Sequence, residues 1–185
     1  MIVDAAVLSI TFPHGRRVHY WAKDSLFANP IVRKILIGGG VVPVDRRTKN
    51  NSLLYKATYE VLGLGEVVGV FPEGTSHTLP RLKEFKDGVS WAALEYARSI
   101  LPQLRSGASA AKDGRKAPEL APVVPVGIVY VDKSKYRSTV IVTYGEPISI
   151  EAYVDDFLKD EKVTAKRLTA DIEKAIQKLS VNAPD

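Results

Sequence analysis

Short runs rich in valine alternate along this chain with segments that have helical periodicity. Strands are predicted over Val18–Ala22, Val41–Val44 and Glu66–Phe71. Between them, apolar residues recur three and four positions apart, as they do on amphipathic helices. This alternation favours an α/β fold with a mixed, largely parallel sheet flanked by helices. Because ligands of such sheets usually bind at the carboxyl ends of the strands, the residues that follow each strand are candidates for a site.

The rest of the chain follows the same pattern. The further predicted elements are helices over residues 4–12, Ser25–Ile37, Gly88–Leu101 and from Ile150 onward, and strands over Pro122–Val131 and Thr139–Tyr144. Pro102 is expected to stop the helix that precedes it. Small and polar residues dominate positions 105–118, which predicts a mobile loop there. A length of 185 residues suits one domain over residues 1–185.

The composition narrows the function classes. The chain has no cysteine and three histidines, so thiolate chemistry, disulfides and a histidine-rich metal site are not expected. The formal net charge of +5 suits a surface that meets phosphorylated molecules or anionic lipid. No nucleic-acid motif accompanies that charge, so nucleic acid is not an expected partner. No apolar run approaches the ~20 residues that span a bilayer. We therefore expect no metal, no cofactor and no transmembrane segment in this chain.

Polar residues directly follow the third predicted strand, in the sequence PEGTS. One interpretation is an ordinary turn with a solvated carboxylate. The other is a ligand site in which Glu73 provides a carboxylate at the end of the sheet. Gly74 would then let the backbone approach the ligand closely, and Thr75 and Ser76 would add hydroxyl donors.

Basic residues follow two of the other strands or precede a helix. Arg46 comes soon after the strand Val41–Val44. It is either a surface residue in a basic cluster or a guanidinium clamp on a phosphate, which a planar donor fork suits well. Lys23, after the first strand, and Lys86 are further basic candidates, and each is a weak signal by itself.

Four segments taken in order strengthen the second interpretation. They are GVVPVDR (Gly40–Arg46), FPEGTS (Phe71–Ser76), FKDG (Phe85–Gly88) and VVPVGI (Val123–Ile128). Together they resemble the ordered motifs of the glycerolipid acyltransferase family, and the resemblance runs over most of the chain. The form FPEGTSH looks most like the fungal and other eukaryotic glycerol-3-phosphate/dihydroxyacetone-phosphate acyltransferases.

The resemblance implies a fold, an activity and partners. It implies a glycerol-3-phosphate acyltransferase-like domain that transfers an acyl group from acyl-CoA to glycerol 3-phosphate or dihydroxyacetone phosphate. It also implies a membrane lipid surface as a partner, and an endoplasmic reticulum location for the full-length protein. Arg46 and Lys86 would bind the acceptor phosphate, and Glu73 would position the glycerol hydroxyls. Gly74 and Thr75 would shape the pocket and offer N–H donors near the developing oxyanion.

Members of this family carry a histidine a few residues before an aspartate at the start of a helix. The histidine is the general base, and the aspartate orients its ring. Asp4 matches the aspartate, but the matching histidine would lie upstream of Met1. His19 has the usual spacing to Asp24, yet it lies within a predicted strand and is expected to be a strand residue. We therefore expect a domain truncated at both ends, with impaired catalysis as written.

Two other functions stay open. A non-catalytic pseudoenzyme would retain the pocket and bind lipid phosphate or acyl groups. A nucleotide-binding α/β domain could use the glycines at 38–40, but these glycines precede a strand instead of joining a strand to a helix.

Overall fold

Three parallel strands form the sheet that the alternating pattern predicts. The computed structural model describes residues 2–44, 55–74, 83–106, 119–132 and 137–181. Strands β1 (Val18–Lys23), β2 (Val41–Val44) and β3 (Val67–Gly69) lie in the order β2-β1-β3. β1 is the central strand and pairs in parallel with both neighbours, Tyr20 opposite Val41 on one side and Gly69 on the other. The predicted α/β class is confirmed.

Six helices accompany the strands in the described part of the chain. They are α1 (Ile2–Thr11), α2 (Pro30–Gly38), α3 (Lys56–Gly63), α4 (Gly88–Arg105), α5 (Glu151–Lys159) and α6 (Glu161–Val181). Short 3-10 turns span Pro13–Gly15 and Asp24–Phe27. Each of α2 and α3 lies in a connection between parallel strands, as the geometry of such crossovers requires.

The two remaining strands of the described residues form a second sheet. β4 (Val126–Tyr130) and β5 (Val140–Tyr144) pair antiparallel, with Val126 opposite Tyr144. The sheet content is therefore mixed, as expected, with the antiparallel component in a strand pair of its own.

The main apolar core lies where α4 packs against α5 and α6. Its buried members are Phe85, Ala93, Leu94, Ala97, Ile150, Val154, Phe157, Ala165, Leu168 and Ile172. Alanines on α4 allow the helices to approach closely, and Phe157 fills the space between them with 1% of its surface exposed. Because Phe85 belongs to this core and lies three residues before the start of α4 at Gly88, the core also fixes the segment that carries Lys86.

Two predicted helix boundaries were wrong. The helix expected over Ser25–Ile37 begins at Pro30, because the Asn29 side chain accepts hydrogen bonds from the Ile31 and Val32 N–H groups at 2.9 and 3.3 Å. A proline at the first helical position needs no N–H partner, so the two residues together set the start.

Pro102 does not stop α4, which continues to Arg105. A proline in the last turns removes one intrahelical hydrogen bond, and the Ser106 N–H still donates to the Pro102 carbonyl at 3.1 Å. Of the loop predicted over 105–118, residues 107–118 lie outside the described residues.

Candidate functional site

The carboxyl ends of the three parallel strands define one edge of the sheet. Lys23 is the last residue of β1 and lies opposite Val44, the last residue of β2. Its side chain is exposed. The end of β3 leads to Phe71 at the same edge, since parallel strands all point one way. This edge therefore gathers the residues predicted to follow strands.

A tight turn reverses the chain after β3. The Gly74 N–H donates to the Phe71 carbonyl at 3.1 Å, which closes a four-residue turn over Phe71–Gly74. Proline is favoured at the second position of such a turn because its ring fixes φ. Gly74 has φ +66°, a left-handed conformation that glycine adopts without steric cost. The PEG sequence thus builds the turn, and it presents the partly buried Glu73 at its tip.

The segment before α4 returns alongside this turn. The Lys83 N–H donates to Glu73 Oε2 at 3.3 Å, and the Lys86 N–H donates to the Pro72 carbonyl at 3.1 Å. Phe85 is buried in the helical core while Lys86 is exposed. A Cβ placed on Gly74 would lie 3.0 Å from Lys86 Nζ. The apolar anchor at Phe85 therefore places the ammonium group directly against Gly74.

The start of α4 approaches the sheet through another glycine. A Cβ placed on Gly88 would lie 3.4 Å from Trp21 Cζ3 and 3.5 Å from Tyr55 Oη. Trp21 is itself fixed, because its ring stacks on Tyr55 at 5.3 Å and its Nε1–H donates to Thr58 Oγ1 at 3.0 Å. The FKDG segment is thus held to the central strand at its end as well as to the core at Phe85.

Asp4 lies in the first turn of α1 and is held by a residue far away in sequence. The Tyr130 hydroxyl, at the end of β4, donates to Asp4 Oδ1 at 2.8 Å. Partial burial raises the pKa of Asp4, but hydrogen bonds that include this one outweigh burial and leave the pKa below its ordinary value. Burial, together with the bond to Asp4, raises the pKa of Tyr130 to about 12. The pair therefore consists of a carboxylate and a protonated phenol at neutral pH.

Tyr20 connects the first turn of α1 with the strand-end turn. Its hydroxyl donates to the Ala5 carbonyl at 2.8 Å, and its ring stacks on Phe71 with centroids 6.2 Å apart. Gly69 makes room for that ring, since a Cβ there would lie 2.7 Å from Tyr20 Cε1. These contacts couple the position of the Asp4 turn to the position of the PEG turn.

The structure brings some of the predicted site residues together. Glu73, Gly74 and Lys86 are adjacent, and Lys23 lies at the same edge of the sheet. Asp4 is connected to them through Tyr20 and Phe71. The predicted site residues Arg46, Thr75 and Ser76 lie outside the described residues.

His19 is a strand residue whose side chain points away from Tyr20. Neighbouring residues of a strand point to opposite faces. A Cβ placed on Gly40, the residue before β2, would lie 3.2 Å from His19 Nδ1. His19 therefore packs near the amino end of β2, on the face opposite Tyr20.

Sequence reasoning did not single out Tyr20 or Tyr130. The strand-end rule gives no signal for Tyr130, because Tyr130 ends a strand of the antiparallel pair and not of the parallel sheet to which that rule applies. No local pattern indicates that it contacts Asp4. In the described residues, no group of three or more histidine, aspartate or glutamate side chains could hold a metal ion. No helix in the described ranges is long and apolar enough to cross a membrane.

This arrangement combines an ammonium group, a carboxylate and a glycine turn at one sheet edge, and a second lysine lies at the same edge. Such a site suits a small ligand that carries both a phosphate and hydroxyl groups. Comparison with known proteins supplies the family. The family model described as acyltransferase matches residues 1–129.

The chain belongs to the glycerolipid acyltransferase family.

Relatives of known activity agree with this membership. Glycerol-3-phosphate O-acyltransferase 2 of Saccharomyces cerevisiae is 32% identical over 137 residues, which cover 74% of this chain and 16% of the yeast protein. Glycerol-3-phosphate O-acyltransferase 1 of the same organism is 28% identical over 167 residues, 88% of this chain and 20% of that protein. A 1-acyl-sn-glycerol-3-phosphate acyltransferase of Borreliella burgdorferi is 37% identical over 82 residues, 44% of this chain and 33% of its own length. This acyltransferase chain thus spans at most a third of these relatives.

Proposed function

We propose that this acyltransferase chain binds glycerol 3-phosphate, or dihydroxyacetone phosphate, and transfers an acyl group to it from acyl-CoA. One observation carries the proposal. Lys86 is held against Gly74 beside Glu73, at the sheet edge where ligands of α/β folds bind. The matches to glycerol-3-phosphate O-acyltransferases support this choice of acceptor.

In this proposal each residue of the site has one task. Lys86 and Arg46 bind the acceptor phosphate, and Lys23 contributes positive charge along the same edge. Glu73 binds the glycerol hydroxyls and orients the one that reacts. Gly74 leaves room for the phosphate beside the Lys86 ammonium group.

Residues after the turn complete the pocket in the same proposal. Thr75 offers a backbone N–H near the oxyanion that forms at the thioester carbonyl, and Ser76 adds a hydroxyl donor. The acceptor oxygen attacks the thioester directly and the CoA thiolate leaves, so no protein nucleophile and no cofactor is needed. The protein would act at the endoplasmic reticulum membrane, as the family resemblance implies.

Asp4 would orient the base that takes the proton from the acceptor hydroxyl. A hydrogen bond from the Tyr130 hydroxyl holds this carboxylate in place. In the printed sequence no histidine precedes Asp4. A positioned base contributes typically about 10²- to 10⁴-fold in rate. The 185-residue chain is therefore expected to bind its acceptor better than it acylates it.

Acyl transfer measured with several acceptors tests the proposal. Labelled acyl-CoA would be offered with glycerol 3-phosphate, dihydroxyacetone phosphate and 1-acylglycerol 3-phosphate, and acceptor binding would be measured in parallel. Glu73→Ala is expected to reduce both turnover and acceptor binding. Glu66→Ala is the matched control, because Glu66 directly precedes the amino end of β3 and Glu73 follows its carboxyl end.

The outcomes separate the alternatives. Binding that depends on Glu73, with slow turnover, supports the proposal. Acceptor binding with no turnover, even with an added upstream segment that supplies the histidine, would support a pseudoenzyme instead. Robust turnover that Glu73→Ala leaves unchanged would refute the assigned site.

A further inference from the structure

Helix α2 exposes its apolar side chains to solvent. It contains no buried residue. Ile31 and Ile35 are 71% and 68% exposed, and Leu26 in the preceding turn is 53% exposed. A surface helix normally turns its apolar stripe towards the core and its charges outward. An apolar stripe that is exposed to solvent indicates a surface that binds a partner.

The most exposed residues form one stripe with a basic flank. Ile31 and Ile35 are four positions apart and therefore lie one turn above the other on the same face. Lys34 is three positions from Ile31 and lies beside it on the helix surface, whereas Arg33 is two positions from each isoleucine and projects from the opposite side of the helix. Over Pro30–Gly38 the sequence contains no acidic residue. An apolar stripe with a lysine beside it suits a helix that lies in the interface of an anionic membrane.

The position of α2 relates this surface to the candidate site. The 3-10 turn Asp24–Phe27 follows the carboxyl end of β1 and contacts α2. α2 connects two parallel strands, so its first residues lie near the carboxyl edge of the sheet and its last residues near the opposite edge. A bilayer in contact with Leu26 and Ile31 would therefore lie next to the edge that carries Lys23.

The charges favour a bilayer over a second copy of the chain. A two-fold interface through this stripe would bring the same patch of both copies together. Lys34 of one copy would then lie close to Lys34 of the other, which is repulsive. Anionic headgroups instead attract each basic residue near the surface.

We propose that the α2 surface, defined by Leu26, Ile31, Ile35 and Lys34, docks this chain on an anionic membrane. The isoleucines and Leu26 enter the headgroup boundary while the Lys34 side chain extends to the lipid phosphates. The proposal specifies which surface meets the membrane partner proposed above. Its test requires no catalysis, so it can fail or succeed independently of the acyl-transfer assignment.

Vesicle binding measured by flotation tests the docking. The chain is expected to bind vesicles of phosphatidylcholine mixed with phosphatidylserine more tightly than vesicles of phosphatidylcholine alone. Ile31→Ser with Ile35→Ser should weaken binding at least about tenfold. Lys34→Glu should weaken it by about fivefold or more, and only on the anionic vesicles.

Matched controls come from the α5 and α6 helices. Val163 and Leu158 are 63% and 49% exposed, so Val163→Ser with Leu158→Ser removes comparable apolar surface elsewhere. Lys166→Glu makes the same change of charge at an exposed position of α6. Both controls should bind vesicles like the unsubstituted chain. Equal losses in the controls would overturn the proposal.

A site-specific probe keeps the test valid if a double variant fails to fold. Because the chain has no cysteine, Ile35→Cys creates a unique site for an environment-sensitive fluorophore. Its emission should shift to the blue on anionic vesicles, whereas the same dye at Val163→Cys should not respond. An absence of shift at Ile35→Cys would overturn the proposal. So would a chain that dimerises through Ile31 and Ile35 and ignores vesicles.

Discussion

Replacement of Gly74 by alanine tests how the turn and Lys86 form one site. The added methyl group has two effects. Alanine at φ +66° costs about 1–2 kcal/mol of backbone energy. The loss of glycine freedom in the unfolded chain offsets about 0.4–1 kcal/mol of that cost. The methyl group would also lie 3.0 Å from Lys86 Nζ and 3.2 Å from Cδ and Cε, so the lysine must move away.

Gly65 provides the matched control for Gly74→Ala. It has φ +74° and nothing within 4 Å of the position its Cβ would take. Gly65→Ala therefore has the backbone effect without the displacement of a lysine. We expect both variants to lower the free energy of unfolding by a similar amount, about 1 kcal/mol, in urea titrations.

Acceptor binding should distinguish the two glycine variants. Displacement of the ammonium group removes about one hydrogen bond to the phosphate, so Gly74→Ala should weaken glycerol 3-phosphate binding about fivefold or more by calorimetry. Gly65→Ala should leave this affinity unchanged. Equal affinities for the two variants would refute the claim that Lys86 beside Gly74 binds the acceptor.

Two further predictions concern the contacts that hold Asp4 and Tyr20. Gly69→Ala would place a Cβ 2.7 Å from Tyr20 Cε1 and should cost about 1–3 kcal/mol in urea titrations through overpacking; an equal cost for Gly63→Ala, which meets nothing within 4 Å, would contradict this. Asp4→Asn should lower the pKa of Tyr130 from about 12 towards 10, because burial alone then opposes ionisation of the phenol. The folded state binds the Tyr130 proton more tightly, so the stabilisation is complete below pH 10 and is lost as the pH rises towards 12. Spectrophotometric titration, with Tyr130→Phe to identify the signal, measures the shift, and an unchanged titration in Asp4→Asn would argue against the bond.

The edge of the sheet that carries the site was predictable because local patterns encode it. Alternating strands and helices imply parallel strands, and parallel strands bring the residues that follow them to one edge. Glu73, Gly74 and Lys23 lie at that edge, as the strand-end rule predicts. The turn over Phe71–Gly74 was also predictable, because proline at the second position and glycine at the fourth are typical of such turns.

The long-range contacts were not predictable from local patterns. The bond from Tyr130 to Asp4 joins residues 126 positions apart, and it depends on how β4 lies against α1. The end of α4 was predicted too early because Pro102 was expected to stop the helix. A proline costs little free energy in the last turns of a helix that a large core already holds. Asn29 before Pro30 is a sequence signal for the start of α2. The start was predicted earlier because of the apolar run from Ser25.

Calorimetric titration of glycerol 3-phosphate into the unsubstituted chain and into Lys86→Ala tests the central claim most directly. Loss of a hydrogen bond to a charged group should weaken binding about ten- to hundredfold. Lys166→Ala, on an exposed face of α6, should bind like the unsubstituted chain. An affinity that Lys86→Ala leaves unchanged would contradict the assignment of this sheet edge as the acceptor site.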